Sequence, residues 1–225
     1  VEISAQTGSE HDGYSFFIAE DRLGGSRLAT SLSYADYTLG EGLLFSLARP
    51  QYSLSVSTGF KTRYNKSSGI GRLFYEGEEF FRYNRSFLKF DLNTVYSWGR
   101  FRRADFYFNY TYDSREYSPE DINSPFNYLI PHDETRSYPS IGVGLSFIEY
   151  DLVRFLDEAG SPEDLKLGAS LQFSIGRSLP EFGADFQGTR PEISLSILAK
   201  PANRIFLGAK DIVWWWRYGN RNEEI

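Results

Sequence analysis

From Leu167 to Ile175 every second residue is apolar or small (Leu167, Ala169, Leu171, Phe173, Ile175), and between them stand Gly168, Ser170, Gln172 and Ser174. A repeat of two is the mark of a strand with one greasy and one wet face, because successive side chains leave a strand on opposite sides. The pattern recurs along the chain. Leu88, Phe90, Leu92, Thr94, Tyr96 and Trp98 alternate with Lys89, Asp91, Asn93 and Ser97, and Phe106, Phe108, Tyr110 and Tyr112 alternate with polar residues such as Asn109 and Thr111. Ile141, Val143, Leu145 and Phe147 alternate with Gly142, Gly144 and Ser146, and Tyr52 to Phe60 alternates throughout, setting Leu54 and Val56 among the greasy positions. No segment of useful length repeats at 3.6, so the chain is expected to be all-β rather than an alternating βα protein.

Turn residues divide the alternation into about ten strands, near 13–20, 26–36, 42–48, 51–63, 86–98, 104–113, 139–150, 165–177, 191–200 and 204–216. Arg49-Pro50-Gln51, Gly99 to Arg103 and Pro201-Ala202-Asn203 read as short turns, while 63–85, 114–137 and 151–164 read as longer connections. Ser161-Pro162-Glu163-Asp164 has the form of a helix start but ends a loop, since the strand pattern begins at Leu165. At 225 residues the whole length, 1–225, is expected to be part of a single β domain. The opening Val1-Glu2-Ile3 without a leader and the polar ending Arg221 to Ile225 predict a piece of a longer protein.

What covers the greasy faces is the functional question. No apolar run approaches the roughly 18 residues a membrane helix needs, yet a transmembrane barrel strand needs only about 9–11 residues with alternate positions apolar. A soluble sandwich would put the same side chains inside. Three features favour lipid. The strands are long, the second face is rich in Gly and Ser, and aromatics stand near strand ends at Phe60, Trp98, Tyr112 and Trp214-Trp215-Trp216, where interfacial girdles sit. The reading is an antiparallel transmembrane β-barrel whose lipid-facing residues include Leu54, Val56, Leu88, Phe90, Leu92, Phe106, Phe108, Leu145, Leu171 and Phe173.

Chemistry-bearing residues are sparse. The chain has no cysteine, so disulfides and thiolate-held metals are out. A net charge of −6 argues against nucleic acid as a partner, because that binding rests on neutralising phosphates. His11 and His132 lie far apart in loop-like sequence, and Gly142-Val143-Gly144 lacks the third glycine and the helix that would make it a dinucleotide loop. Glu76, Glu78 and Glu79, with Asp121, Asp133 and Glu134, lack the order of a calcium loop and read as exposed charge. Arg100, Arg102 and Arg103 cluster at a short turn, where they meet either bulk water or anionic lipid phosphates. No catalytic, cofactor-binding or metal-ligating residue is expected.

Beyond composition, particular segments resemble a known family. Ser46-Leu47-Ala48-Arg49-Pro50-Gln51-Tyr52-Ser53-Leu54, Tyr75-Glu76-Gly77-Glu78-Glu79 and Pro162-Glu163-Asp164-Leu165-Lys166-Leu167-Gly168 are similar, in that order, to the barrel of bacterial surface antigens in the BamA/TamA superfamily. Asp21-Arg22-Leu23-Gly24-Gly25 and Tyr34-Ala35-Asp36 are similar to its opening strands. The resemblance implies about the first half of a sixteen-stranded outer-membrane barrel, preceded by periplasmic POTRA domains, that inserts or exports other polypeptides. Neither POTRA-like mixed α/β sequence nor the family's Arg-Gly-Phe or Arg-Gly-Tyr loop occurs within these residues.

The expectation is therefore a non-enzymatic barrel segment of a Gram-negative cell outer membrane, with lipid and unfolded client proteins as partners and no cofactor. A passive pore, a barrel that anchors an upstream enzyme, and a soluble β-sandwich binding module are the alternatives.

Overall fold

The computed structural model describes residues 2–6, 12–51, 55–154, 162–202, 205–215 and 217–218. They form one twelve-stranded sheet and three single-turn 3₁₀ segments. The strands are β1 (Glu2–Gln6), β2 (Gly13–Glu20), β3 (Ala29–Tyr37), β4 (Gly40–Arg49), β5 (Thr58–Tyr75), β6 (Glu78–Gly99), β7 (Arg102–Pro119), β8 (Glu134–Arg154), β9 (Pro162–Ser178), β10 (Gly188–Ala202), β11 (Ile205–Trp214) and β12 (Arg217–Tyr218). Each strand from β1 to β11 pairs antiparallel with the next, and β12 lies beside β10 beyond the end of β11. Among the described residues β1 and β11 do not pair, so the sheet is open.

Register decides which side chains share a face, because paired residues point the same way. Phe106 pairs with Val143, Val143 with Phe173, Phe173 with Ile193, and Ile193 with Val213. In the other direction Phe90 pairs with Tyr64, Tyr64 with Phe45, Phe45 with Leu32, and Leu32 with Ile18. The period-two patterns of separate strands thus fall into register, and one apolar face runs from β2 to β11.

Burial is inverted relative to a layered globule. Among the described residues the buried hydrophobic side chains are Phe81, Ile148 and Ala184, whereas Ser97, Arg103, Asp105, Ser114, Ser137, Ser146, Ser174 and Ser178 are buried polar ones. Phe106, Phe108, Ile141, Val143, Leu145, Phe147, Leu171, Phe173, Ile193, Leu195 and Ile197 are all exposed. A domain whose greasy face met a second layer of polypeptide would show the reverse.

Several sequence expectations are corrected. The span 63–85 is not a connection: β5 and β6 run through it and meet at a two-residue turn, Glu76-Gly77. Polar and apolar residues mix on each face there, with Lys66, Ser68, Ile70 and Arg72 sharing one side, so no clean period-two signal marks the span although the backbone ladder continues. The connection expected at 114–137 shrinks to 120–133, and the one at 151–164 lies between a β8 that reaches Arg154 and a β9 that starts at Pro162. Conversely, the strand expected from residue 51 begins only at Thr58: Gln51 and Ser55 to Ser57 precede β5, and residues 52–54 lie outside the described residues. Pro50 has no N–H to give the ladder, the Gln51 amide donates to Ser97 Oγ (2.9 Å) and to the Ser57 carbonyl (3.1 Å), and Ser55 sits in a turn. β1 and β12 add two short strands to the ten expected.

Candidate membrane interface and polar wall

On β6 the apolar face runs from Leu88 to Trp98, ten steps of roughly 3.3 Å or about 33 Å along the strand. At the tilt of roughly 35–45° usual in membrane barrels, that length stands about 23–27 Å tall, the height of the apolar band such barrels present to lipid. Charged residues frame the face where strands leave it. On β4 Leu43, Phe45 and Leu47 lie between Glu41 and Arg49, and on β9 Arg177 follows Ile175. Aromatic residues gather at one border, where Tyr96, Trp98 and Phe101 are exposed and Trp98 retains 73% of its accessible surface.

Phe106, Phe108, Leu145, Leu171 and Phe173 are exposed on this face, and Leu88, Phe90 and Leu92 are half-exposed on it. Val56 is half-buried in the connection between β4 and β5 and does not stand on a strand, because the chain has left the ladder at Pro50. Leu54 lies outside the described residues. The same register places Phe16, Leu32, Phe45, Ile193 and Ile197 on this face as well.

The opposite face is a polar wall on which several charges are matched along single strands. Five ion pairs join residues two apart on one strand: Lys89–Asp91 (3.6 Å), Arg103–Asp105 (2.7 Å), Asp113–Arg115 (3.2 Å), Glu134–Arg136 (2.7 Å) and Arg190–Glu192 (3.1 Å). A spacing of two puts both partners on the same side of the pleat. The pattern was present in the sequence as oppositely charged residues two apart, a signal that a search for catalytic motifs passes over.

Arg103 and Asp105 form the most buried of these pairs, at 8% and 9% exposure. The Arg103 Nε donates to Asp105 Oδ1, and its terminal nitrogen donates to Gln51 Oε1 and Ser97 Oγ. Ser97 Oγ in turn donates to Asp105 Oδ1. Buried charge is tolerated here because hydrogen bonds satisfy both partners. The network ties the connection after β4 to the β6–β7 hairpin and takes Arg103 out of the expected three-arginine cluster, while Arg100 and Arg102 remain exposed.

Aromatic rings lie against glycines along the wall. A Cβ on Gly144 would stand 3.1 Å from the Tyr107 ring, one on Gly176 would stand 3.1 Å from the Tyr138 ring, and one on Gly71 would overlap the ring of Tyr83. Here glycine provides room for a ring laid flat. Beside these rings opens a cleft of 490 Å³, lined by Arg49, Lys61, Asn93, Tyr107, Gln172 and Arg190 among others. Its lining carries amides, hydroxyls and matched charges.

Beyond the apolar face β5, β6 and β7 continue as an arm. Phe126, from the 120–133 connection, packs edge-on against Phe80 (5.4 Å between centroids) and Phe81 (6.3 Å). Glu79 pairs there with Arg82 and with Arg72, and the Arg82 hydrogen bond, aided by Arg72, holds its carboxyl below the usual glutamate range. No group of three or more potential metal ligands exists among the described residues. His132 is exposed, and His11 lies outside the described residues.

No family model and no curated protein matches this chain.

Proposed function

We propose that this chain is a wall segment of a bacterial outer-membrane β-barrel, non-enzymatic, belonging to a factor that inserts or exports other polypeptides. The observation that carries the membrane reading is the inverted sheet, with a continuous exposed apolar face opposite buried serines and ion pairs. An open seam in a barrel wall presents unpaired N–H and C=O groups on which a client strand can pair, so the driving forces would be backbone pairing and apolar burial rather than bond chemistry. The resemblance of the segments Ser46 to Leu54, Tyr75 to Glu79 and Pro162 to Gly168 to the BamA/TamA superfamily supports the assembly role. A passive pore is the second reading, favoured by the amide- and hydroxyl-lined cleft on the polar wall.

Because the chain has no cysteine, single cysteines report position without background. Cysteines replacing Phe108, Leu145 or Leu171 in bilayers should resist a water-soluble maleimide, while those replacing Asn93 or Gln172 should react. Equal labelling of the two sets would end the membrane reading. Faster folding of an added barrel client in vesicles that contain the chain supports the assembly role; steady ion conductance without any effect on client folding favours the pore.

A further inference from the structure

We propose that the β6–β7 turn carries a binding site for the phosphate of an anionic glycerophospholipid, formed by Arg100 and Arg102. The inference rests on the membrane reading above and adds a ligand to it. Of the three arginines around this turn, Arg103 is consumed by Asp105, Gln51 and Ser97 on the polar wall. Arg100 and Arg102 are exposed, and among the described residues neither has a carboxylate partner. Arg102 falls on the apolar face, in register with Phe147.

Depth supports the assignment. The last paired apolar rung of this hairpin is Trp98 opposite Ala104, and Arg102 follows Ala104 by one rung. One rung is two residues, roughly 6.6 Å along the strand and about 5 Å along the membrane normal at a tilt of roughly 45°. Headgroups occupy a layer about 5–8 Å thick on each side of the hydrocarbon core. A guanidinium one rung beyond an exposed tryptophan therefore reaches phosphate level, with Trp98 at the acyl boundary beneath it and Phe147 beside it. Guanidinium also matches phosphate oxygens in a two-pronged fashion that suits a headgroup better than bulk water.

The turn is held in place for this task. Gly99 has a φ of +95°, and the Ile148 N–H donates to the Phe101 carbonyl at 2.7 Å, tying the turn to β8. Two arginines on a fixed turn recruit a lipid at a smaller ordering cost than two on a mobile loop. The opposite end of the sheet carries the 120–133 connection and the β5–β7 arm, the longer excursions that face outward in such barrels, so this turn meets the glycerophospholipid leaflet.

The test uses the full chain in bilayer discs of phosphatidylcholine doped with phosphatidylglycerol, released into a mass spectrometer under conditions that keep bound lipids. The unaltered chain should retain phosphatidylglycerol above its bulk fraction. Arg100→Gln or Arg102→Gln should cut the excess about fivefold each and the double change about 25-fold, whereas Arg100→Lys with Arg102→Lys should keep most of it. Undiminished retention in the double Gln variant overturns the site, and so does preferential retention of lipid A when that lipid is offered in competition. A chain that enters phosphatidylcholine discs but shows no excess phosphatidylglycerol refutes this inference alone. Failure to enter any bilayer refutes the membrane reading and the site with it.

Discussion

Replacing Val143 by arginine separates a lipid-covered face from a water-covered one, because the two readings predict effects of different size. Val143 keeps 52% of its surface exposed and lies in mid-face on the rung that joins Phe106, Val143, Phe173, Ile193 and Val213. On an ordinary water-facing sheet a charge at such a site changes stability by no more than about 0.5 kcal/mol. At the centre of a bilayer an arginine on a barrel wall costs about 2–4 kcal/mol, or about 30- to 900-fold in the folding equilibrium. Phe147 lies four residues along the same strand, roughly 13 Å, or about 10 Å nearer the membrane surface at the usual tilt. Phe147→Arg should then cost only about 0–1 kcal/mol. Urea titration in lipid vesicles, followed by tryptophan fluorescence and far-UV dichroism, measures both. A Val143→Arg chain as stable as the parent, or a Phe147→Arg penalty as large as that at Val143, would refute the depth argument.

Three further outcomes follow from the geometry. Gly168 has a φ of +130°, and an added Cβ would stand 1.9 Å from the Phe147 carbonyl, so Gly168→Ala should destabilise by about 1–3 kcal/mol; Gly144→Ala meets only the movable Tyr107 ring at 3.1 Å and should cost less, as urea midpoints will show. Removing one partner of the buried Arg103–Asp105 pair, as in Asp105→Ala, should cost about 3–5 kcal/mol, while Lys89→Ala in its half-exposed pair should cost under about 1 kcal/mol by the same titration. Glu79 has a lowered carboxyl pKa in the folded arm, so its ion pairs contribute stability above the ordinary glutamate value of about 4.3 and lose it as pH falls through the lower folded value. Amide exchange at the β5–β6 tip should therefore accelerate below that range in the parent chain and show no such step in Glu79→Gln.

The sheet was legible wherever one face had to be greasy. Ile141 to Phe147 and Leu167 to Ile175 alternate without interruption, and β8 and β9 contain them as read. Legibility failed where that demand lapsed. From Asn65 to Arg85 polar and apolar residues mix on both faces, so an extended arm looked like a loop, while Ser55 to Ser57 alternate by composition but stand outside the ladder after Pro50 and Gln51. The network around Arg103 escaped for another reason. Its members come from Gln51, Ser97 and Asp105, and only strand register brings them together. Pairwise spacing within β7 showed Arg103 and Asp105 on one side, but nothing local indicated that Gln51 would arrive from the previous hairpin.

The matched charges two residues apart on single strands also bear on assembly. A cation whose counter-ion sits on a different strand is stranded until that neighbour arrives; one that carries its counter-ion on its own strand is compensated as soon as the backbone extends. Lys89, Arg103, Arg115, Arg136 and Arg190 all belong to the second kind. For these five cations the cost of entering a low-dielectric medium is offset before any neighbouring strand has joined.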